Sequence, residues 1–216
     1  MLSIQRSITG FLLLTALAVM PKPSFANPDA GLYDPLPPEG SAFIRFIGDY
    51  NDTGSDEATL NGKAYEYVEF KEITSYFVVP EGETEISIGD AQDSYSIEAG
   101  KFYSVVQTGE NDLALMEDKP NENRAKALLN FYNLTENGSL SVKTNDGSVE
   151  VIEEVSDAQS GHREINPVKV NLAVYDGDTL IKDLGSVSMD RSNSYNIVAF
   201  NEDAVIWSQS STNTTR

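Results

Sequence analysis

The chain has few side chains that could work together as a nucleophile and a base. It contains no Cys, and its only His is His162. Acyl transfer of the serine type needs a Ser beside a His that an acidic residue orients. The segment Gly89-Asp90-Ala91 has no Ser at the position of a nucleophile. Ser148 follows a Gly in a segment that is typical of a hairpin turn. The sequence therefore predicts no catalytic residue and no cofactor, with His162 as a solvated loop residue.

Residues 49–57 are rich in oxygen atoms that could bind calcium. Asp49 and Gly54 fit the EF-hand loop, but Thr53 stands at the fifth ligand position and Leu60 at the twelfth, where the pattern requires Glu. The flanking segments are predicted strands, whereas an EF-hand has helices. A solvated turn is the preferred interpretation, so no metal ligand is assigned, and calcium binding by this acidic loop stays open.

A third candidate is a surface that binds another protein. In a strand starting near Ser41, Ala42 and Ile44 face one side, and Phe43 and Arg45 face the other. If the first side is the core, a Phe and an Arg are exposed near Tyr33, which is the composition of an interface anchor. We therefore expect Tyr33, Phe43 and Arg45 to bind a partner. The alternative is that the preceding Pro-rich arm folds back over this face.

The first 26 residues predict an export signal. Arg6 precedes an apolar run at residues 10–20, and Ser24-Phe25-Ala26 is a small-x-small cleavage site. The run is shorter than the roughly 20 residues that a membrane-spanning helix needs. We expect a periplasmic protein with no membrane span in the mature chain. Because the chain lacks Cys, its domains must be stable without disulfides.

The charge of the chain excludes several classes of partner. The formal net charge is −19, and removal of Arg6 and Lys22 leaves 13 basic and 34 acidic residues, a charge of 13 − 34 = −21. Nucleic acids and anionic membrane surfaces bind basic patches, which this composition does not favour. Direct binding to an acidic polysaccharide is expected to be weak or absent for the same reason.

Two β-rich segments of the chain are repeated. Residues 42–46 (AFIRF) correspond to 127–131 (ALLNF) with a shift of 85 positions, and 102–106 (FYSVV) correspond to 194–198 (SYNIV) with a shift of 92. An insertion of seven residues between the two pairs would reconcile the shifts, and we place it at residues 161–167. The chain is therefore predicted to contain two similar modules.

The modules are predicted to be sandwiches. Short runs with period-2 alternation are separated by turn signals such as Asn61-Gly62, as in β-sandwich proteins. We predict an all-β fold of two tandem antiparallel, Ig-like β-sandwich domains. The expected limits are residues 1–26 for the signal peptide, 27–119 for the first domain with its Pro-rich arm, and 120–216 for the second domain.

One stretch resembles a known family. Residues 32–35 (LYDP) and 38–45 (PEGSAFIR) are similar to the start of the AlgF family, periplasmic accessory proteins of alginate O-acetylation. The resemblance implies a non-catalytic adaptor that holds acetyltransferase partners together, while those partners acetylate alginate or another exported exopolysaccharide. The alternative is a secreted carbohydrate-binding or calcium-binding β-sandwich module.

Overall fold

The computed structural model describes residues 37–48, 55–69, 72–136, 138–200 and 204–210. All of them belong to one compact unit, Pro35–Arg216. The described residues form sixteen strands joined by turns, without a helix. The strands belong to four sheets of four strands each, and the sheets make two sandwiches. The predicted all-β fold of two tandem β-sandwich domains is confirmed, and the domain limit at 119/120 stays a prediction.

The first sandwich is built from the first eight strands. One sheet has the order β4-β1-β7-β8 and the other the order β3-β2-β5-β6. All neighbouring strands are antiparallel except β1 and β7, which are parallel. The strands are β1 (Ser41–Ile47), β2 (Ser55–Leu60), β3 (Lys63–Glu69), β4 (Phe77–Pro80), β5 (Gly82–Ile88), β6 (Ala91–Ile97), β7 (Phe102–Gln107) and β8 (Leu113–Asp118).

The second sandwich repeats this topology with the last eight strands. Its sheets have the orders β12-β9-β15-β16 and β11-β10-β13-β14, and β9 and β15 form its parallel pair. The strands are β9 (Ala127–Asn133), β10 (Leu140–Thr144), β11 (Glu150–Val155), β12 (Gln159–Ile165), β13 (Val168–Asp176), β14 (Thr179–Met189), β15 (Ser194–Phe200) and β16 (Ala204–Ser210).

The strand registers confirm the sequence repeat and move its insertion. Phe43 pairs with Phe102 in the first sandwich, and Leu128 pairs with Ser194 at the shifted positions in the second. Residues 161–165 are not inserted, since they lie in β12, the counterpart of β4. The outermost paired residues of the hairpin β5–β6 are 82 and 97, whereas those of β13–β14 are 168 and 189. The second hairpin is therefore six residues longer. The placement of the insertion at 161–167 was therefore wrong.

Local turn chemistry follows the sequence. Asn61 and Gly62 have φ values of 51° and 71° and connect β2 to β3, as expected for an Asn-Gly hairpin turn. The buried Tyr103 and Tyr195 occupy equivalent positions. Their hydroxyls accept hydrogen bonds from the backbone N–H groups of Glu98 at 3.2 Å and Asp190 at 2.8 Å, each five residues upstream. Both tyrosines therefore hold the turn that precedes their strand.

Each sandwich has its own apolar core, and a third cluster lies between the sandwiches. Inward side chains such as Ile44 and Phe46 fill the first core, and Leu129 and Phe131 fill the second. The third cluster joins the outer face of the β1 sheet to the outer face of the β9 sheet. It contains Ile47, Val106, Met116, Tyr132, Leu134, Val198 and Phe200. The two sandwiches are thus packed on one another through a buried interface.

Candidate functional site

The two described residues that were expected to bind a partner, Phe43 and Arg45, are both buried. Phe43 and Arg45 are on the face of β1 that the alternation predicts, but they are 6% and 0% exposed. The prediction that they face solvent was wrong. The Phe43 ring stacks on Phe102 of the first sandwich, with 4.3 Å between the ring centroids, whereas Arg45 is enclosed at the interface with the second sandwich. Tyr33 lies outside the described residues.

Arg45 is the centre of a polar network that crosses the interface. Its Nε donates to Ser104 Oγ at 2.8 Å and lies 3.3 Å from Asp118 Oδ2. Its Nη2 donates to the Tyr132 hydroxyl at 2.6 Å and to Asn196 Oδ1 at 3.3 Å. Since Tyr132 and Asn196 belong to the second sandwich, one guanidinium group bonds both domains.

Asp118, the last residue of β8, accepts three hydrogen bonds from hydroxyl groups of the network. The hydroxyls of Ser104 at 2.5 Å and Tyr76 at 2.6 Å donate to Oδ2, and the Tyr132 hydroxyl donates to Oδ1 at 2.6 Å. The carboxylate is thus matched by a cation and three donors, which compensates the cost of burying charge. We call Arg45, Tyr76, Ser104, Asp118, Asn130, Tyr132 and Asn196 the interdomain polar network.

The repeat explains why these polar groups meet. Arg45 pairs with Ser104 across the parallel strands β1 and β7, and Asn130 pairs with Asn196 across β9 and β15. Asn130 is the counterpart of Arg45, with a shift of 85, and Asn196 that of Ser104, with a shift of 92. Asn130 Nδ2 donates to Asn196 Oδ1 at 3.1 Å, which orients the oxygen that accepts from Arg45. Equivalent polar pairs of the two modules therefore face one another.

The network has the chemistry of a structural joint. Ser104 is the serine of the network, but its hydroxyl oxygen accepts a hydrogen bond from the Arg45 guanidinium and donates one to the Asp118 carboxylate. Activation of a Ser requires a general base such as His within hydrogen-bond reach. His162 lies in β12 and is exposed, rather than in the loop expected from the sequence. Among the described residues, no Ser side chain is hydrogen-bonded to His162.

A separate cleft of about 490 Å³ opens in the second sandwich. It lies where the edge strands β11 and β12 of the two sheets meet the start of β13. Arg163 and Lys126 line its rim. Its apolar wall includes Val149, Val151, Ile165, Val168 and Val170. The cleft combines an apolar wall with a cationic rim and is a candidate ligand site.

The evolutionary relationship is clear from the whole chain. A family model described as alginate O-acetyl transferase AlgF matches residues 14–196. The chain belongs to the AlgF family. The match includes residues 32–45, which carry the resemblance, and extends through the first sandwich into β15 of the second, so the resemblance is confirmed.

Named relatives agree with this assignment. The alginate biosynthesis protein AlgF of Pseudomonas putida is 34% identical over 190 residues, which cover 88% of this chain and 85% of the relative. The AlgF protein of Pseudomonas aeruginosa is 32% identical over 168 residues, 77% of this chain and 76% of the relative. As an AlgF family member, the chain is an alginate biosynthesis protein of the O-acetylation branch.

Solved domains of the family have also been matched to the structure. The C-terminal domain of AlgF from P. aeruginosa is 35% identical with a TM-score of 0.37, covering 40% of this chain and 99% of that domain. The N-terminal domain is 17% identical with a TM-score of 0.33, covering 38% of this chain and 98% of that domain.

The ionisation of the network in this AlgF family member is fixed by its surroundings. Burial raises the pKa of the Tyr76 hydroxyl well above its usual range, and the nearby Asp118 raises it further. Burial likewise raises the pKa of Tyr132. Burial alone would lower the pKa of Arg45, but Tyr132 and Asp118 outweigh this effect, so the net pKa is raised. Near neutral pH the network contains a charged guanidinium and neutral phenols.

Sequence reasoning missed most of this network. Asp118, Tyr76 and Tyr132 carried no recognisable motif. One available signal was that β1 and β9 are apolar on both faces, which is typical of strands buried on both sides. The other was the repeat, which places Arg45 and Asn130 at equivalent positions. A polar residue at the same outward position of two otherwise apolar strands indicates a shared polar contact.

The remaining site predictions fall partly outside the described structure. Most of the candidate calcium loop, residues 49–54, is not described. Among the described residues, no group of three or more His, Asp or Glu side chains could hold a metal ion. Over the same residues, no helix is long and apolar enough to cross a membrane.

Proposed function

We propose that this AlgF family member is a non-catalytic periplasmic adaptor that holds acetyltransferase partners together during O-acetylation of alginate. The observation that carries the proposal is the interdomain polar network. Arg45 of the first sandwich and Tyr132 of the second are both buried and joined at 2.6 Å. A joint of this kind favours one arrangement of the two sandwiches over others, so surfaces on both modules are presented to partners at a fixed spacing.

The interdomain polar network preorganises the two sandwiches for partner binding. Binding of two partners to a flexible pair of domains loses conformational entropy, whereas a rigid scaffold has already lost it. In this proposal Arg45 supports partner binding indirectly, by fixing the domain arrangement, and Phe43 does so by packing with Tyr76, a member of the interdomain polar network. A direct partner contact by Tyr33, on the arm before the first strand, remains our prediction from the sequence.

The non-catalytic part of the proposal is supported by the chemistry of the described residues. Ser104 is held between Arg45 and Asp118, and His162 is exposed on β12. Burial lowers the pKa of His162, with a further contribution from Lys119, so the imidazole is neutral near pH 7. A neutral His could serve as a base, but it needs a nucleophile and an orienting acid beside it.

An acetyl-transfer assay tests this proposal. The purified mature chain is incubated with an activated acetyl ester, with and without alginate, and released and transferred acetyl groups are measured. We expect no turnover above the rate without protein, and the same polymer acetylation in cells carrying His162→Ala as in wild type. Turnover by the chain alone that His162→Ala abolishes would show an enzyme and overturn the proposal.

A further inference from the structure

The apolar cleft of the second sandwich has a filled counterpart in the first. Ile44 of β1 pairs with Phe77 of β4, and Leu129 of β9 pairs with Arg163 of β12. Because Ile44 and Leu129 are equivalent in the repeat, Arg163 stands where the first sandwich has Phe77. There the Phe77 ring packs edge-on against Tyr65, with 5.2 Å between the ring centroids. The first sandwich therefore closes this position with two aromatic rings.

The wall of the cleft is correspondingly less buried. Val79 and Thr84 in the first sandwich are 3% and 1% exposed, whereas their counterparts Ile165 and Val170 are only half-buried. At the mouth of the cleft, Val168 is 43% exposed, a high value for a Val. The second sandwich thus leaves apolar surface in water that the first sandwich covers with its own side chains.

The rim of the cleft is cationic in a strongly acidic protein. Arg163 and Lys126 line it, and Arg163 Nη1 is positioned by the backbone carbonyls of Glu150 at 2.8 Å and Val151 at 3.0 Å. The acidic Glu164 also lines the cleft, but its carboxylate accepts a hydrogen bond from Asn123 at 3.0 Å and lies 3.6 Å from the ammonium group of Lys119, so its charge is already matched. The rim therefore favours a negatively charged group on the occupant.

From these observations we infer that the cleft binds a segment of an acetyltransferase partner that carries a bulky apolar side chain next to a carboxylate. The inference rests on the proposed adaptor function and names the chemistry of its partner. The apolar side chain occupies the volume that Phe77 and Tyr65 fill in the first sandwich, and the carboxylate faces Arg163 and Lys126. Alginate offers carboxylates without a bulky apolar group, and a second copy of this chain is repelled by its net charge of −19.

The inference is tested with two substitutions of residues that line the cleft. Arg163→Phe restores the aromatic residue of the first sandwich, and Val168→Glu places a negative charge at the mouth. Leu180→Glu in β14 is the matched control, because Leu180 is 46% exposed and lies outside the cleft wall. Thermal midpoints establish that each variant folds. We expect both cleft variants to bind the purified acetyltransferase at least about tenfold more weakly, as for a central anchor, and the control to bind like wild type.

A peptide probe separates this inference from the proposed function. Amide NMR shifts of the mature chain are followed with acetyl-Asp-Trp-Asp-amide and with acetyl-Lys-Trp-Lys-amide. Chemical-shift changes around Val168 that occur only with the acidic peptide, and that are absent in Arg163→Phe, support the proposed chemistry of the cleft. If wild type nevertheless binds no acetyltransferase, the adaptor function fails while the cleft chemistry stands. Three results overturn the inference: measurable acetyltransferase binding that is equal for wild type and Arg163→Phe, equal shifts with both peptides, or self-association that Arg163→Phe abolishes.

Discussion

The Arg45 guanidinium and the Tyr132 hydroxyl are 87 residues apart in sequence and 2.6 Å apart in space, with one in each sandwich. Their bond belongs to a buried network whose other members neutralise and satisfy both groups. It connects two modules that could each have folded around a core of their own. The network therefore fixes the placement of the two sandwiches relative to each other.

Removing the cation from the network should destabilise the protein strongly. Arg45→Met leaves Asp118 buried without its counter-charge, and breaking a buried ion pair in this way typically costs about 3–5 kcal/mol. We expect a loss of that size in the free energy of unfolding, measured by urea denaturation. The control is Lys101→Met, whose ammonium group lies 3.2 Å and 3.0 Å from Glu98 and Glu117 in exposed ion pairs, and it should change stability little.

A second variant separates the charge from the packing. Arg45→Met combined with Asp118→Leu removes both charges and should recover much of the lost stability, since buried ion pairs can be replaced by apolar groups at small cost. If Arg45→Met alone is as stable as wild type, the guanidinium is hydrated and the network does not exist as described.

Alkaline pH should weaken the protein through the two buried phenols. The folded-state pKa values of Tyr76 and Tyr132 lie above the ordinary value of about 10, so the unfolded chain loses these protons first as the pH rises. Their contribution to stability is complete below pH 10 and is lost progressively above it. Absorbance at 295 nm should show at least two tyrosines that ionise only when the protein unfolds. Ionisation of all tyrosines near pH 10 with the fold intact would contradict the burial.

The two equivalent tyrosines should contribute similarly to their modules. Tyr103→Phe and Tyr195→Phe each remove a hydroxyl that accepts a backbone N–H bond, which typically costs about 1 kcal/mol. We expect both variants to fold, with losses of this size in the free energy of unfolding, and the double variant to lose about the sum. A loss in only one variant would show that the repeat is not equivalent at this position.

Much of the fold followed from local patterns. The alternation in β1 and β9, the Asn61-Gly62 turn and the shifts of the repeat all depend on residues close in sequence, and the structure agrees with them. Alternation divides a strand into two faces but does not say which face water reaches. Arg45 was therefore placed on the correct side of β1 and in the wrong environment.

The interface and the cleft depend on contacts between distant segments. No local signal connects Asp118 to Tyr132, because their bond depends on how the two sandwiches pack. The cleft likewise became recognisable only when strand pairing equated Arg163 with Phe77. The seven extra residues of the second module were counted correctly, but the location of six of them, in the β13–β14 hairpin, needed the register of those strands.

In the proposed function, this chain holds an acetyltransferase rather than acting as one. Sedimentation velocity of the purified mature chain mixed with the purified periplasmic acetyltransferase of the same pathway tests it most directly. We predict a faster-sedimenting species that contains both proteins, at concentrations where each alone sediments as its own species. Independent sedimentation of the two proteins over the whole concentration range would contradict the account.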